Sequence, residues 1–184
     1  MAKMKAYAGI GSRTTPEDVK GVMRSLATRL EQEGWVLRSG GAVGADQAFE
    51  GGVLAPHNKQ VFIPGHATGY RIDATRLPEW GLAMELVDHY HPAPGQLSGF
   101  SRKLMARNAF QVLGPDLKTP SKMVIAWAPG GYEGQKPPSG AREGGTGQAL
   151  RIARDNGIPI RNLANRDTLQ EAIDWLSRLV RQDP

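Results

Sequence analysis

The chain of 184 residues contains no cysteine, which excludes a disulfide scaffold, a thiolate zinc site and a cysteine nucleophile. No apolar run approaches the ~20 residues that span a bilayer, and the N-terminus carries no signal-peptide stretch. We therefore expect a cytoplasmic protein without a membrane partner. Aromatic residues are scarce at 7%, and the four tryptophans fall on predicted strands and helices, so no stacking platform for nucleic acid is expected.

What the composition does supply is enough for one folded domain. Apolar residues make up 40% and charged residues 22%, which supports a buried core and argues against wholesale disorder. The length predicts a single domain over residues 1–184. Lys and Arg exceed Asp and Glu by 23 − 18 = +5, an excess that permits nucleotides or nucleic acid as partners without choosing between them.

Glycine is abundant, with 23 residues, and most glycine clusters directly follow a short apolar run. That pattern is typical of strand ends that turn into helices. It predicts strands over 6–10, 35–37, 60–63, 122–128 and 158–160. It predicts helices from an N-cap at Thr15 to about 33, and then over 44–49, 79–89, 100–113, 145–156 and 167–180. Alternating strands and helices indicate an α/β fold, a single Rossmann-like doubly wound sheet that is mostly parallel with helices on both faces.

Three of the glycine turns follow predicted strands at the edge where such sheets bind ligands. Glycine lets a ligand approach the backbone, and free N–H groups at a helix start favour an anion. We expect a nucleotide or phosphorylated nucleoside there, although each turn alone is equally consistent with a simple tight turn. No Walker lysine and no spaced Gly-x-Gly-x-x-Gly fingerprint is present, and no cofactor is implied. The predicted binding residues are Gly11, Ser12, Ser39, Gly40, Gly41, Gly144, Gly145, Thr146 and Gly147.

Charged side chains near these turns are further candidates for ligand contact. Arg107 lies four residues after Lys103 and four before Gln111, so the three share a helix face that is either a ligand contact or a solvated stripe. Arg13 follows the first glycine turn and suits phosphate binding. Asp46 either binds a ribose hydroxyl or caps its helix. The four histidines lack partners at metal-ligand spacing, so no metal is expected.

The order of these motifs resembles a Rossmann-like superfamily. The motifs are Gly-Ser-Arg after the first strand, Ser-Gly-Gly-Ala-x-Gly-Ala-Asp after the second, Arg107-Asn108 in a central helix, and a late Gly-Gly-Thr-Gly-Gln. They look like those of the DNA-processing protein A family, which binds single-stranded DNA, and of the Lonely Guy phosphoribohydrolases. The resemblance implies a ligand contact at Arg107 and Asn108, single-stranded DNA as an alternative partner, and a homodimer.

The third possibility that the resemblance raises is hydrolysis of a nucleoside monophosphate. The Lonely Guy enzymes place a catalytic glutamate three residues after the motif's threonine, and this chain has Gln148 and Arg151 at those two positions. An arginine cannot stabilise an oxocarbenium-like state or activate water. We therefore identify no catalytic residue.

Residues 129–143 form a connection far longer than the ~2–6 residues usual between a strand and its helix. Its place beside the predicted site favours a mobile lid over an inert insert. Tyr132, Lys136 and Arg142 would then close over a base or phosphate.

Overall fold

The computed structural model describes residues 4–135 and 144–180. Strands and helices alternate along most of these residues, as the glycine pattern predicts, except that two strands and then two helices follow one another between residues 59 and 113. The strands are Lys5–Gly11 (β1), Trp35–Ser39 (β2), Lys59–Ile63 (β3), Arg71–Asp73 (β4), Val124–Trp127 (β5) and Ile160–Asn162 (β6). The helices are Glu17–Gln32 (α1), Ala45–Gly52 (α2), Trp80–Tyr90 (α3), Gly99–Leu113 (α4), Gly145–Asp155 (α5) and Arg166–Val180 (α6).

The strands form one sheet in the order β4-β3-β2-β1-β5-β6, and every pairing in it is parallel. The chain builds outward from β1 to β4 and then crosses back to place β5 on the other side of β1. This reversal of direction creates a switch point between β1 and β5, where open α/β sheets bind their ligands. The predicted Rossmann-like α/β fold is confirmed.

Helices cover both faces of the sheet, and each face has its own apolar core. On one face α1, α2 and α6 pack over Tyr7, Leu37 and Ile125. On the other face α3, α4 and α5 pack over Ala8, Phe62 and Val124. Alternate residues along one strand point to opposite faces, so both cores draw on the same buried strands.

Several element boundaries differ from the prediction for identifiable reasons. Thr15 is not the N-cap of α1, because its hydroxyl donates to the Ser12 carbonyl at 2.7 Å and the cap position falls to Pro16. The last strand begins at Ile160, after Pro159, which has no N–H to offer a ladder. β4 lies inside a stretch predicted to be irregular except for one helix. No helix among residues 4–135 and 144–180 has the length and apolar character needed to cross a membrane.

The predicted lid is only partly described, because Lys136 and Arg142 lie outside the described residues. Its first part is anchored. Tyr132 is buried in the core, its carbonyl accepts from Asn162 Nδ2 at 2.7 Å, and its hydroxyl bonds Arg151 Nη1 at 3.0 Å. The expectation that Tyr132 closes over a ligand is therefore wrong, because its ring is already packed inside the domain.

Candidate functional site

Asp46 joins the glycine turns that follow β1 and β2. It lies in the first turn of α2, which begins directly after the second of these turns. Its Oδ1 accepts from the Gly11 N–H at 3.2 Å, and its Oδ2 accepts from the Gly40 N–H at 3.1 Å. The helix-cap interpretation is wrong, because the N-cap of α2 is Gly44 and no side chain caps it. The carboxylate instead holds two strand ends together.

Arg107 completes this arrangement from α4. Its Nη1 lies 3.6 Å from Asp46 Oδ2 and donates to Gln111 Oε1 at 3.2 Å. A Cβ on Gly40 would lie 1.0 Å from that same Nη1, so only glycine allows the guanidinium to approach so closely. We call Asp46, Gly11, Gly40 and Arg107 the Asp46 bridge. The solvated-stripe interpretation is wrong for Arg107 and Gln111, which are buried, and only Lys103 of that stripe is exposed.

Burial sets the electrostatics of the Asp46 bridge. It raises the pKa of Asp46, against the opposing effect of Arg107 and of backbone N–H groups at Gly40, Ala42 and Gly11. It lowers the pKa of Arg107, against the attraction of Asp46. The positive charge of Arg13, whose Cα would lie 2.8 Å from a Cβ on Gly44, lowers the pKa of Arg107 further.

Glu50 is a buried acid beside the bridge that the sequence analysis did not identify. Its Oε1 accepts from the Ser39 hydroxyl at 2.9 Å. Burial raises the pKa of Glu50, and the negative charge of Asp46 raises it further, while the Ser39 bond lowers it. The spacing of four residues between Asp46 and Glu50 on one short helix was the available signal.

The turn after β1 is closed by contacts within the chain. Ser12 donates its N–H to the Trp127 carbonyl at 3.0 Å, and its hydroxyl shares a hydrogen bond with Thr14 at 2.9 Å. Gly44 has a φ of 99°, and a Cβ there would lie 2.5 Å from the Ser12 carbonyl oxygen. The turns after β1 and β2 can touch because Gly44 lacks a side chain. Arg13, between them, is exposed.

The glycine turn before α5 contacts Asn108, the residue that follows Arg107 in α4. Asn108 Nδ2 donates to the Gly145 carbonyl at 3.0 Å and lies 3.5 Å from Gln148 Oε1. Gly144 is the N-cap of α5 and makes no side-chain cap. Neighbouring residues of α4 therefore hold two parts of the site, Arg107 at the β1 and β2 turns and Asn108 at the start of α5.

The structure thus gathers the predicted residues at the C-terminal edge of the sheet, around α4. Not all backbone N–H groups at this edge are free to bind a ligand, however. The N–H groups of Gly11, Ser12 and Gly40 already serve oxygens of the chain itself. A phosphate would have to displace those oxygens to bind there. The other predicted residues at this edge are Arg13, Ser39, Gly41, Asp46, Arg107, Asn108, Gly144, Gly145, Thr146 and Gly147.

Two further observations concern the chemistry of this edge. Arg151, at the position of the phosphoribohydrolase glutamate, donates from Nε to the Tyr90 carbonyl at 2.7 Å and from Nη1 to the Tyr132 hydroxyl. It therefore joins α3 to the segment after β5. Among the residues that the structure describes, no three His, Cys, Asp or Glu side chains group as a metal site.

The outer part of α4 carries an exposed row of Lys103, which belongs to the predicted stripe, and Phe100, which was not predicted. The N-cap of α4 is Ser98, whose hydroxyl accepts from the Ser101 N–H at 3.2 Å. Phe100, 64% exposed, and the exposed Lys103 lie seven and four residues before Arg107, on the same side of the helix. We call Phe100 and Lys103 the α4 row. The sequence signal for an exposed Phe100 was its place in the first turn of the helix, where few core residues are available to cover a side chain.

Comparison with known proteins shows the fold. No family model and no curated protein matches the chain. Among solved structures, it is similar to DNA processing protein A from Helicobacter pylori, which was described for its mode of binding single-stranded DNA. The match covers 99% of this chain and 82% of that chain, with a TM-score of 0.55. The chain has the fold of DNA processing protein A. At 16% sequence identity, the likeness to DNA processing protein A extends to the fold alone.

Proposed function

We propose that this protein binds single-stranded DNA, the ligand named for the protein of similar fold, and that the strand lies across the C-terminal edge of the sheet. One observation carries the proposal. The exposed α4 row and the exposed Arg13 flank the Asp46 bridge, whose own charges are already paired. Cations that remain in solvent suit a polyanion that lies along the surface, and the net charge of +5 has the matching sign.

The Asp46 bridge favours an extended strand over a deeply held mononucleotide. Pockets that enclose a phosphate supply several free N–H donors to it. Here the Asp46 carboxylate takes the N–H groups of Gly11 and Gly40, and it also compensates Arg107. The exposed cations are thus the chain's readiest phosphate contacts at this edge.

Phe100 supports single-stranded over duplex DNA as the proposed ligand. Its ring is solvent-exposed, and only unpaired bases can stack on such a side chain. Lys103, one turn further along the same side of α4, would contact a neighbouring phosphate. The α4 row would therefore bind one base and one phosphate of the same strand.

A phosphorylated nucleoside at the start of α5 is the second candidate. Gly145 and Thr146 are half-buried in the first turn of that helix, which has no side-chain cap among the described residues. A helix start of this kind favours an anion. Hydrolysis of that nucleoside is not part of the proposal, because Arg151 occupies the position where a carboxylate is needed.

Fluorescence anisotropy with a labelled oligothymidylate of about 16 nucleotides, the upper end of single-strand site sizes, tests the proposal. Affinity should fall steeply between about 50 and about 200 mM salt. Phe100→Ala should cost about 1–3 kcal/mol of binding energy, the range for one stacked base. Lys103→Ala should lower the salt slope by about 0.7, because it removes one phosphate contact.

Lys5→Ala is the matched control, because Lys5 is an exposed lysine at the opposite end of β1. It should bind the strand like the parent protein. Equal losses for Lys5→Ala and Lys103→Ala would reject the assignment of this edge. Thermal stabilisation by nucleoside monophosphates without oligonucleotide binding would favour the second candidate instead.

A further inference from the structure

A cavity lies on the other face of the sheet from α4. It has a volume of about 320 Å³ and is bounded by α1, β5, β6 and α6. None of the residues that line it belongs to the Asp46 bridge or the α4 row. The cavity is therefore independent of the edge proposed to bind DNA.

The cavity has an apolar body and a polar rim. Leu30, Ile125 and Leu163 are buried residues of the core on this face and line its interior, and Trp175 forms a half-buried wall. The volume exceeds the cavity of about 150 Å³ that holds benzene in an engineered protein. It also falls within the range of about 300–1,000 Å³ that is typical of small-molecule sites. This volume is large enough for a two-ring apolar group.

The rim carries one exposed charge of each sign, and the helix start beside it favours an anion over a cation. Arg161 and Glu171 form an ion pair there at 3.2 Å, with side chains that are 60% and 66% exposed. Exposed pairs of this kind contribute little stability, so a ligand can replace one partner. Thr168, in the first turn of α6, also lines the cavity, and the N-terminal end of a helix attracts anions.

We propose that this cavity binds a small amphipathic anion, namely a flat aromatic body with one carboxylate. The rings would contact Ile125 and Trp175. The carboxylate would bind Arg161 in place of Glu171. Glu171 is then a competitor for Arg161, so its removal should tighten binding, whereas removal of Arg161 should weaken it.

Isothermal titration calorimetry with naphthoate, naphthol and naphthylmethylammonium tests the proposal on the full chain. Naphthoate should bind saturably and most tightly of the three. Glu171→Gln should tighten it up to about fivefold and Arg161→Gln should weaken it by a similar factor, the scale of an exposed ion pair. Both residues are exposed, so both variants should fold. Tryptophan fluorescence should change on binding in the parent protein and much less in Trp175→Phe.

Ala172→Leu fills the cavity and should abolish naphthoate binding while circular dichroism stays unchanged. If that variant fails to fold, the opposite effects of the two rim variants decide the matter alone. The absence of saturable naphthoate binding would overturn the proposal. So would tighter binding of naphthylmethylammonium, or equal affinities for the two rim variants.

Discussion

Two arginines are buried, Arg38 beside α4 and Arg107 within it. Each packs on a glycine, yet their surroundings differ. Arg38 of β2 meets Gly114, the C-cap of α4, where a Cβ would lie 3.0 Å from its guanidinium. Arg107 of α4 meets Gly40, just after β2. Both side chains are almost completely removed from solvent. The difference between them lies in what accepts their hydrogen bonds.

Arg38 is held by neutral oxygens. Its Nε donates to Gln60 Oε1 at 2.9 Å, and its Nη1 donates to the Thr119 carbonyl at 2.7 Å and contacts Ser121 Oγ at 3.3 Å. Burial lowers the pKa of Arg38 to about 10, and the charge of Asp116 opposes that effect. This arginine joins β2, β3 and the segment after α4, and none of these three hydrogen-bond partners is a candidate site residue.

Arg107 is held by a charge instead. Its main partner is the carboxylate of Asp46, its Nε has no hydrogen-bond partner among the described residues, and the exposed α4 row continues beyond it. The two buried arginines therefore differ in their main partners, which are neutral oxygens for Arg38 and a carboxylate for Arg107. The sequence alone does not show this difference. One is a structural clamp, and the other anchors the edge proposed to bind DNA.

The largest effect that the comparison predicts is the loss of the Arg107 charge. Arg107→Met leaves Asp46 buried without its counter-charge, so the free energy of unfolding should fall by about 3–5 kcal/mol. Urea denaturation measures this loss. Adding Asp46→Asn should recover part of it, because the pair is then removed together. Strictly additive losses would show that the two side chains do not interact.

Arg38→Met should also destabilise the fold, by about 2–3 kcal/mol, because it leaves buried oxygens without a donor. Affinity for the oligothymidylate should stay at the parent value at a temperature where the variant is folded. Denaturation and anisotropy on the same sample measure both quantities. A loss of affinity without a loss of stability would move Arg38 into the binding site.

The two glycines sharpen the comparison. Gly40→Ala should cost about 1–3 kcal/mol of stability by displacing the Arg107 guanidinium, and the cost should shrink in an Arg107→Met background. Gly114→Ala should stay costly in an Arg38→Met background. Gly114 has a φ of 87°, and its new Cβ would also lie 2.4 Å from the Thr119 carbonyl oxygen. The two positions would not differ in this way if the stability cost shrank equally for Gly40→Ala in Arg107→Met and for Gly114→Ala in Arg38→Met.

The smallest effect concerns Glu50. The folded state raises the pKa of this carboxyl above its unfolded value, so its contribution to stability is greatest below the ordinary value of about 4.3. That contribution is lost as the pH rises through the raised value. Glu50→Gln keeps an oxygen acceptor for Ser39 and removes the titration. Its stability relative to the parent should therefore increase from about pH 4 to about pH 8 in urea denaturation.

The fold was largely predictable, because most strands are apolar runs that end at a glycine or within three residues before one. β4 was not, since Arg71-Ile72-Asp73 offers a single apolar residue and pairs only because β3 lies beside it. Pro159 displaced the last strand by two residues. Local patterns thus placed the elements whose own composition determines them, and they missed the one that depends on a neighbour.

The positions of the candidate residues were predictable, and their bonds were not. The glycine turns, Arg107 and Asn108 lie at the sheet edge that the motifs indicated. Gly40 is only 6 residues from its partner Asp46, but Gly11 and Arg107 are 35 and 61 residues away from it. Such contacts arise only when the sheet forms, so no local spacing reveals that the carboxylate fills the turns. Burial of Arg107 was hidden for the same reason.

The strand order has a consequence for how the chain is made. β1 is synthesised first, but its neighbour β5 begins only at Val124, after the segments of β2, β3 and β4. Until then one side of β1 presents unpaired backbone groups, which is the hazard of an exposed strand edge. A growing chain on the ribosome carries that edge until the β5 segment has been made. Pauses before Val124 would therefore prolong the time for which the edge is unpaired.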